Sequence, residues 1–354
     1  MKFIRSIYKW LDNEADPGME FGPEDRKVDH MRLIPFWGMH LACLGAIWVG
    51  VSGVAVAVAV GLYVLRMFAI TGWYHRYFSH RTFKTGRGVQ FLFALIGNAA
   101  VQRGALHWAA HHRNHHRFSD MPEDPHSPRQ HGFWISHTLW FSTRENSTAK
   151  TRALKDFCQY PELVFLDRFD FVAPLGLGLL TYGLGALLGH AYPGLHTNGP
   201  QMLIWAFFIS TVALYHGTFS INSLGHILGR TRFQTGDDSK NSALLALITL
   251  GEGWHNNHHH YPNAVRQGFR WWEFDVSFYM LWAMSKLGLV WDLKPVPTRL
   301  LRPEPQAAPA TAAPLPASHP RIRTRPAAMP RPAAEAARNH GLRRTLRPAP
   351  EKLA

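Results

Sequence analysis

Long apolar runs with almost no charged residue dominate the hydrophobic pattern of the chain. They cover residues 33–53, 54–71, 171–190 and 201–221. Each is about as long as a helix that crosses the hydrocarbon core of a bilayer, roughly 20 residues. A Gly/Ser turn at 50–53 separates the first pair, and an uncharged connection containing Pro and Gly at 191–200 separates the second. A large soluble protein can also bury apolar helices, but two tight pairs predict an all-α integral membrane protein with four transmembrane helices in two hairpins.

Basic residues flank these runs on one side only. Lys and Arg precede the first run and follow the second and the fourth, whereas the two turn regions contain none. Because cytoplasmic flanks carry the excess of Lys and Arg, we expect both termini, the segment 72–170 and everything after 222 to be cytoplasmic. The expected location is the bacterial cell membrane, with a multi-pass topology. Three shorter apolar stretches, at 89–101, 243–251 and 276–290, are expected to lie in the interface or to pack on the spans.

Composition divides the chain into three parts. Residues 1–32 are predicted to be a cytoplasmic N-terminal segment, residues 33–295 the membrane domain, and residues 296–354 a disordered, basic tail rich in Pro, Ala and Arg. The net charge of +14 is typical of a nucleic-acid-binding protein or of a protein with basic loops and a basic tail at an anionic membrane surface. The apolar runs favour the second interpretation, so no nucleic-acid partner is expected. No cleavable signal peptide is expected, and two cysteines cannot form a disulfide framework.

Histidine is concentrated in the predicted cytoplasmic segments. The chain has 22 histidines, and clusters occur in HRYFSH, HHRNHH and HNNHHH, with a looser NSLGH. On an α-helix, positions i, i+3 and i+4 share one face, which predicts two such histidine faces. The residues concerned are His112, His115 and His116 in the second cluster, His255, His258 and His259 in the third, and Asn222 with His226 in the NSLGH pair.

The first cluster has a different spacing. His75 and His80 are five residues apart, which separates them by about 140° around an α-helix, so we expect them to bind two neighbouring metals rather than one. His111 and His260 fall off the histidine faces and are expected to flank the site. The isolated histidines are expected to have structural roles: His40, His107, His126, His131, His137 and His216.

The number of histidines indicates more than one metal ion. Imidazole suits Zn, Cu, Fe and Ni, and nine histidines exceed the four ligands of a closed structural zinc site. Two ions with four or five ligands each fit the count. The apolar surroundings favour a redox centre that acts on hydrocarbon. A membrane metal transporter is the alternative from another class, but it would place ionisable ligands within the spans.

These motifs resemble the histidine boxes of the membrane acyl-CoA desaturases of the stearoyl-CoA, or delta-9, type. HRTFKT follows the first box, FSDMPEDPHSP follows the second, and GEGWHNNHH leads into YP at the third. The resemblance covers about residues 30–295. It implies that one iron takes His75, His116, His226, His255 and His259. It implies that the other takes His80, His112, His115 and His258, with Asn222 bound through water. Glu252 and Asp124 would hold histidine rings by hydrogen bonds.

The resemblance also implies the reaction. We expect an oxygen-dependent desaturase that uses two irons and O2 to insert a cis double bond, between carbons 9 and 10, into a long-chain acyl-CoA or acyl-carrier-protein. A membrane hydroxylase of the same architecture is the alternative. The chain has no HPGG motif of a fused haem domain, so electrons would come from a separate ferredoxin or cytochrome. Candidate cations for the acyl headgroup are Arg113, Arg117, Arg129, Arg144, Lys150, Arg152 and Lys155.

Overall fold

The structure is a computed structural model that describes residues 12–13, 22–147 and 154–301. The described chain is almost entirely helical. Its helices are Pro23–Arg26, His30–Leu33, Ile34–Cys43, Ala46–Val49, Gly53–Phe68, Ala69–Ser79, Arg87–Asn98, Ala105–Phe118, Pro128–His131, Ile135–Leu139, Trp140–Ser142, Arg144–Ser147, Pro161–Arg168, Val172–Ala191, Pro193–Leu195, Gly199–Met202, Leu203–Ile209, Ser210–Asn222, Leu224–His226, Ala243–Ile248, His255–His260, Val276–Lys286 and Thr298–Leu301.

Consecutive helices join into four long apolar helices, as the hydrophobic pattern predicts. Span 1 is His30–Val49, span 2 is Gly53–Ser79, span 3 is Val172–Ala191 and span 4 is Gly199–His226. By length and composition each could cross a membrane. Spans 2 and 4 continue beyond the apolar runs from which they were predicted, and most residues of their last turns are buried in the protein. The helices thereby carry the histidines His75 and His226 inward.

The turn between spans 1 and 2 lies where the sequence predicts it. Gly50 has φ +67°, in the left-handed region that favours glycine. Ser52 then begins span 2, since its side chain accepts a hydrogen bond from the Ala55 N–H at 3.2 Å. The end of span 1 and the start of span 2 are therefore both determined by local residues, between Gly50 and Ser52.

The spans differ in how much of their surface the protein covers. Of the most apolar stretch of each, 50% is buried in span 4 and 39% in span 2, but only 11% in span 1 and 17% in span 3. Spans 1 and 3 expose large apolar side chains such as Leu41, Trp48 and Leu180. Exposed apolar surface on this scale fits contact with lipid. Spans 2 and 4, which lead to the histidine boxes, form the protected interior.

A buried arginine links the two inner spans. Arg66 of span 2 donates to Thr211 Oγ1 at 2.7 Å and to Ser210 Oγ at 2.6 Å, both in span 4. It also donates to the carbonyl of Ala99 at 3.1 Å. These partners satisfy the guanidinium inside the protein, so the one basic residue in this apolar run fixes spans 2 and 4 relative to each other.

Two details depart from the predicted organisation. The chain is not strictly all-α, because Lys84–Thr85 and Val290–Trp291 pair as a two-stranded antiparallel sheet. This pairing ties the segment after the first box to the chain after Val276–Lys286. The predicted tail begins at 296, yet Thr298–Leu301 is helical and Arg270 Nη1 donates to Leu301 O at 2.6 Å. The tail from 302 onward, like most of residues 1–32, lies outside the described residues.

Close packing of span 3 against the start of span 4 generates a stability prediction. A Cβ at Gly185 would lie 2.4 Å from Asn198 O and 2.5 Å from Met202 Cβ, whereas one at Gly183 would meet nothing within 4 Å. Gly185→Ala should therefore destabilise the protein by about 1–3 kcal/mol through overpacking, and Gly183→Ala should be neutral or slightly stabilising. Thermal unfolding of the full chain in detergent compares the two, and equal midpoints would contradict this packing.

Candidate metal centre

The first box lies on a π-helix, and this changes its geometry. Residues Ala69–Ser79 form the π-helical end of span 2. The N–H of His80 donates to the carbonyl of His75 at 3.2 Å, the i→i+5 bond that defines such a helix. The two rings consequently lie on the same side, with centroids 5.0 Å apart. The separation of about 140° expected from α-helical geometry is therefore wrong for this pair.

The box histidines converge in two groups of ring nitrogens, each group within 4.8 Å. Group A contains His75, His80, His112, His116 and His258. Group B contains His115, His226, His255 and His259. All nine histidines singled out in the sequence are thus brought together. His111 and His260 lie outside both groups, and His260 stacks on Phe233 at 4.0 Å.

Adjacent residues alternate between the two groups. His115 belongs to group B and His116 to group A, and both lie on the helix Ala105–Phe118. His258 belongs to group A and His259 to group B, on the helix His255–His260. Neighbouring side chains on a helix diverge by about 100°, so each helix serves both groups. Groups A and B are therefore side by side, as two neighbouring metal ions require.

This grouping differs from the division of ligands that the family resemblance implies. His75 and His116 lie with the other members of group A, and His115 lies with group B. For His75 the cause is the π-helix, which sequence spacing does not reveal. His115 and His116 are neighbours on the helix Ala105–Phe118, so their side chains diverge by about 100° and the packing of the helix, not the spacing, decides which ring joins which group.

Carboxylates hold four of the nine rings through Nδ1. The two expected from the sequence are in place: Asp124 Oδ2 lies 2.9 Å from His115 Nδ1, and Glu252 pairs with His75 Nδ1. Sequence reasoning missed the other two carboxylates. Asp120 binds His226 Nδ1 at 2.8 Å, and Asp237 binds His259 Nδ1 at 2.6 Å.

The missed carboxylates left only a weak signal in the sequence. Asp120 lies in the FSDMPEDPHSP segment beside Asp124, and Asp237 lies in GDDS, far from any histidine along the chain. A spacing argument from the boxes alone cannot find Asp237, because its partner His259 is brought to it by the fold. Three of the four carboxylates serve group B and one serves group A.

The ring nitrogens that face inward fit a bound cation. Within group B, Nε2 of His115 and Nε2 of His259 are 3.3 Å apart. Both rings use Nδ1–H to donate to a carboxylate, so in the neutral rings both Nε2 atoms present lone pairs. Two lone pairs in this position repel each other unless a cation lies between them. Nε2 atoms also approach each other in His226 with His255, at 3.1 Å, and in His75 with His258, at 2.9 Å, where a carboxylate binds Nδ1 of one ring in each pair.

Electrostatics favour the protonation states that metal binding needs at two carboxylates, Glu252 and Asp237, and at two histidines, His112 and His258. Burial alone would raise the pKa of Glu252, but His75 and Arg76 outweigh it and lower the pKa to about 2. Burial likewise opposes ionisation of Asp237, yet the hydrogen bond from His259 holds its pKa well below the usual range. Burial and neighbouring histidines lower the pKa of His112 and His258, which keeps both neutral. Neutral imidazoles and ionised carboxylates are the ligand and partner forms required.

A narrow pocket opens between the two groups. Its empty space, including its mouth, is about 460 Å³. The apolar part of its wall comes from Met67, Ile70, Trp108 and Ile221. The polar part includes Thr71, Thr218, Asn222, Thr249, Glu252, His75, His112, His115 and His255. Asn222, expected to act through water, therefore faces the pocket but belongs to neither histidine group.

The candidate headgroup cations have unequal environments. Arg113 is committed to the fold, since it donates to the carbonyls of Ser79 at 2.9 Å and Phe78 at 2.8 Å. Arg129 pairs with Asp238 and Arg144 with Asp25. Arg117 and Lys155 are exposed. Lys150 and Arg152 lie outside the described residues.

Four apolar helices that could cross a membrane and two neighbouring histidine groups that could hold metal define the class: a membrane-associated protein with a histidine-rich candidate metal centre. Comparison with known proteins narrows the class to a family. The family model described as fatty acid desaturase matches residues 34–290, and the chain belongs to that family and to its delta-9 type. Membership makes the protein an oxidoreductase of fatty acid metabolism.

Relatives with known assignments agree with this. The chain is 34% identical over 273 residues to delta-9 acyl-lipid desaturase 1 of Arabidopsis thaliana, covering 76% of this chain and 84% of the relative. It is 34% identical over 271 residues to the sn-1 stearoyl-lipid 9-desaturase of Anabaena variabilis, covering 76% and 94%. It is 32% identical over 273 residues to the hex-5-enoyl-[acyl-carrier protein] acetylenase of Moorena producens (strain JHB), covering 74% and 84%.

The carboxylates missed by sequence reasoning generate a prediction. Asp237→Asn removes the negative charge that orients His259, so metal affinity should fall about 10–100-fold. Asp238→Asn is the matched control, because the neighbouring side chain pairs with the exposed Arg129 and with no histidine. Metal content per chain, measured after equilibration with graded chelator, separates the variants. Equal retention in both would contradict the role assigned to Asp237.

Proposed function

We propose that this protein is a di-iron, O2-dependent desaturase that inserts a cis double bond between carbons 9 and 10 of a long saturated acyl chain. The observation that carries the proposal is the pair of histidine groups, side by side, at the ends of spans 2 and 4 beside a pocket with an apolar wall. Removing hydrogen from an unactivated methylene needs a strong oxidant next to a hydrocarbon. Few other reactions need both a strong oxidant and a hydrocarbon held beside it.

The two irons would be held by the two histidine groups. Group A would provide five imidazole ligands to one ion, and group B four to the other, with Asn222 reaching an ion through water. The imidazole donor set and the opposed Nε2 lone pairs fit iron. When bound, the metal pair would supply the oxygen chemistry that hydrogen removal requires. The four carboxylates would neutralise part of its charge and fix the rings.

The pocket would fix the position of the double bond. Met67, Ile70 and Ile221 offer apolar contacts to an acyl chain, and His112 and His115 lie in the same wall. A chain gripped by such a wall presents one methylene pair to the metal side, and positioning of this kind accounts for much of an enzyme's selectivity. Bond position would then follow from the distance between the headgroup site and the irons.

The proposal includes a membrane topology, a substrate carrier and an electron donor. The spans would form two hairpins, with the histidine groups in a helical cap on the cytoplasmic side and both termini there. The substrate would be a long-chain acyl thioester, on CoA or a carrier protein, bound near exposed cations such as Arg117 and Lys155. A separate ferredoxin or cytochrome would deliver electrons. Residues 302–354 would take no part in the chemistry.

Neighbouring histidines in the third box test the metal assignment. His258 belongs to group A, whereas His260 belongs to neither group and stacks on Phe233. His258→Ala should abolish turnover and lower bound iron, because an ion loses one of its five ligands. His260→Ala should retain both. Iron per chain and product per unit time are measured on purified, membrane-extracted protein, and full iron content in His258→Ala would refute the assignment.

Product analysis tests the reaction. A desaturase-deficient host expressing this chain and fed stearate should accumulate a cis-monoene between carbons 9 and 10, located by mass spectrometry after dimethyl disulfide addition. The box variant His258→Ala is the negative control. A hydroxy acid as the main product would overturn the reaction class in favour of a hydroxylase. In the purified system, turnover of lipid-bound acyl chains but not of thioesters would overturn the proposed carrier.

A further inference from the structure

Three histidines outside groups A and B form a continuous hydrogen-bonded chain. His40 Nε2 of span 1 lies 3.1 Å from His216 Nε2 of span 4. His216 Nδ1 lies 3.0 Å from His137 Nε2, on the helix Ile135–Leu139. His137 Nδ1 lies 2.8 Å from Ser223 Oγ. We call these four side chains the histidine chain.

The two ends of the histidine chain fix its protonation pattern. His40 Nδ1 lies 2.8 Å from the carbonyl of Phe36, which can only accept, so this nitrogen carries hydrogen. In the neutral state His40 Nε2 must then accept from His216 Nε2–H. For the same reason His216 Nδ1 accepts from His137 Nε2–H, and His137 Nδ1 accepts from the Ser223 hydroxyl.

One excess proton on His137 reverses the hydrogen bond between His137 and Ser223 without leaving a donor unmatched, and the other two bonds reverse as the proton moves to His216 and His40. His137 Nδ1–H then donates to Ser223 Oγ, and the Ser223 hydroxyl turns to the carbonyl of Phe219, 3.0 Å away. The extra proton can reside on any of the three rings, since transfer along each hydrogen bond interconverts these states. A chain that accommodates both states is suited to carrying a proton rather than only to packing.

The ends of the histidine chain lie in different surroundings. At one end His40 is half-buried, and its hydrogen-bond partner His216 is exposed. Trp37, one helical turn before His40, and Trp134, one turn before His137, are also exposed, and exposed tryptophans typically mark the membrane–water interface. At the other end Ser223 is fully buried. It follows Asn222, whose side chain lines the pocket between the histidine groups.

We infer that the histidine chain is a proton relay that supplies the metal centre from the membrane interface. The inference rests on the proposed function. Desaturation of one –CH2–CH2– unit consumes one O2, two electrons from the external donor and two protons, and yields –CH=CH– and two water molecules. Those protons must reach a pocket with an apolar wall. Water held by Asn222 would complete the path: as His137 Nδ1–H passes its hydrogen to Ser223 Oγ, the Ser223 hydroxyl would turn away from the Phe219 carbonyl and donate its own hydrogen to that water.

The cost of these histidines supports a functional role. Ionisable side chains on membrane spans are expensive, and they usually line pathways for ions or protons. His40 and His216 lie on two different spans and His137 on a third element, yet the three meet in one line. Aromatic packing explains part of the arrangement, since His137 stacks on His216 and Phe133. It does not explain why every ring nitrogen has a hydrogen-bond partner.

Small-molecule rescue tests the relay in the iron-loaded full chain. His216→Ala should lower turnover on the order of tenfold or more, without loss of iron or of thermal stability. Added imidazole should restore much of the turnover, because the exposed site can admit a free imidazole. His190→Ala is the matched control, an exposed histidine of span 3 outside the histidine chain and both groups. A solvent deuterium isotope effect on turnover should increase in His216→Ala and fall again with imidazole.

Spectra of ¹⁵N-histidine in the full chain in nanodiscs give a readout independent of turnover. His40, His216 and His137 should titrate together as one proton site in the parent, and His40 and His137 should titrate separately in His216→Ala. Independent titration in the parent would overturn the histidine chain. A metal ion bound to His40 and His216 in the parent would overturn it in favour of a metal site.

Kinetic outcomes separate this inference from the proposed function. Unchanged turnover of His216→Ala in an active parent would overturn the relay and leave the desaturase assignment intact. A parent that binds iron but forms no alkene would overturn the proposed function, and with it the supply role of the relay.

Discussion

The mutual repulsion of inward-facing imidazole lone pairs is the constraint on which the site depends. Carboxylates fix Nδ1–H on His75, His115, His226 and His259, so Nε2 of each ring points inward as an acceptor. Burying several such acceptors together is unfavourable unless a cation binds them. The fold brings them together nonetheless, so metal binding at the proposed centre would stabilise the fold. The stabilisation would be greater at group B, where three of the four carboxylates lie.

Long helices make this arrangement possible. Spans 2 and 4 continue from the apolar region into the box region, so the positions of His75 and His226 are set by the membrane helices themselves. Arg66 links the two spans through Ser210 and Thr211. The proposed metal centre and acyl-chain pocket would thus share one rigid support. A site that must hold a methylene beside an oxidant needs this rigidity.

Span 4 also positions three polar side chains near the histidine groups. Span 4 carries His216 in the histidine chain, Asn222 in the pocket wall and His226 in group B, within about three helical turns. Its outward face meets span 1 through His40, while its end meets the third box. The proposed proton supply, substrate pocket and metal ligand would therefore be arranged along one helix. Group A, by contrast, depends on span 2 and the two box helices.

The sequence by itself determined the family, the four spans and the nine clustered histidines. These features are local, because apolar runs of bilayer length and i, i+3, i+4 spacing can be recognised without knowledge of the fold. Only the tertiary structure decided how the histidines divide into groups. The π-helix that aligns His75 with His80 is invisible to α-helical spacing, and Asp237 reaches His259 across 22 residues of chain. The histidine chain likewise joins residues of three separate elements. Contacts of this kind depend on how distant helices pack together, which the local sequence pattern of each helix does not reveal.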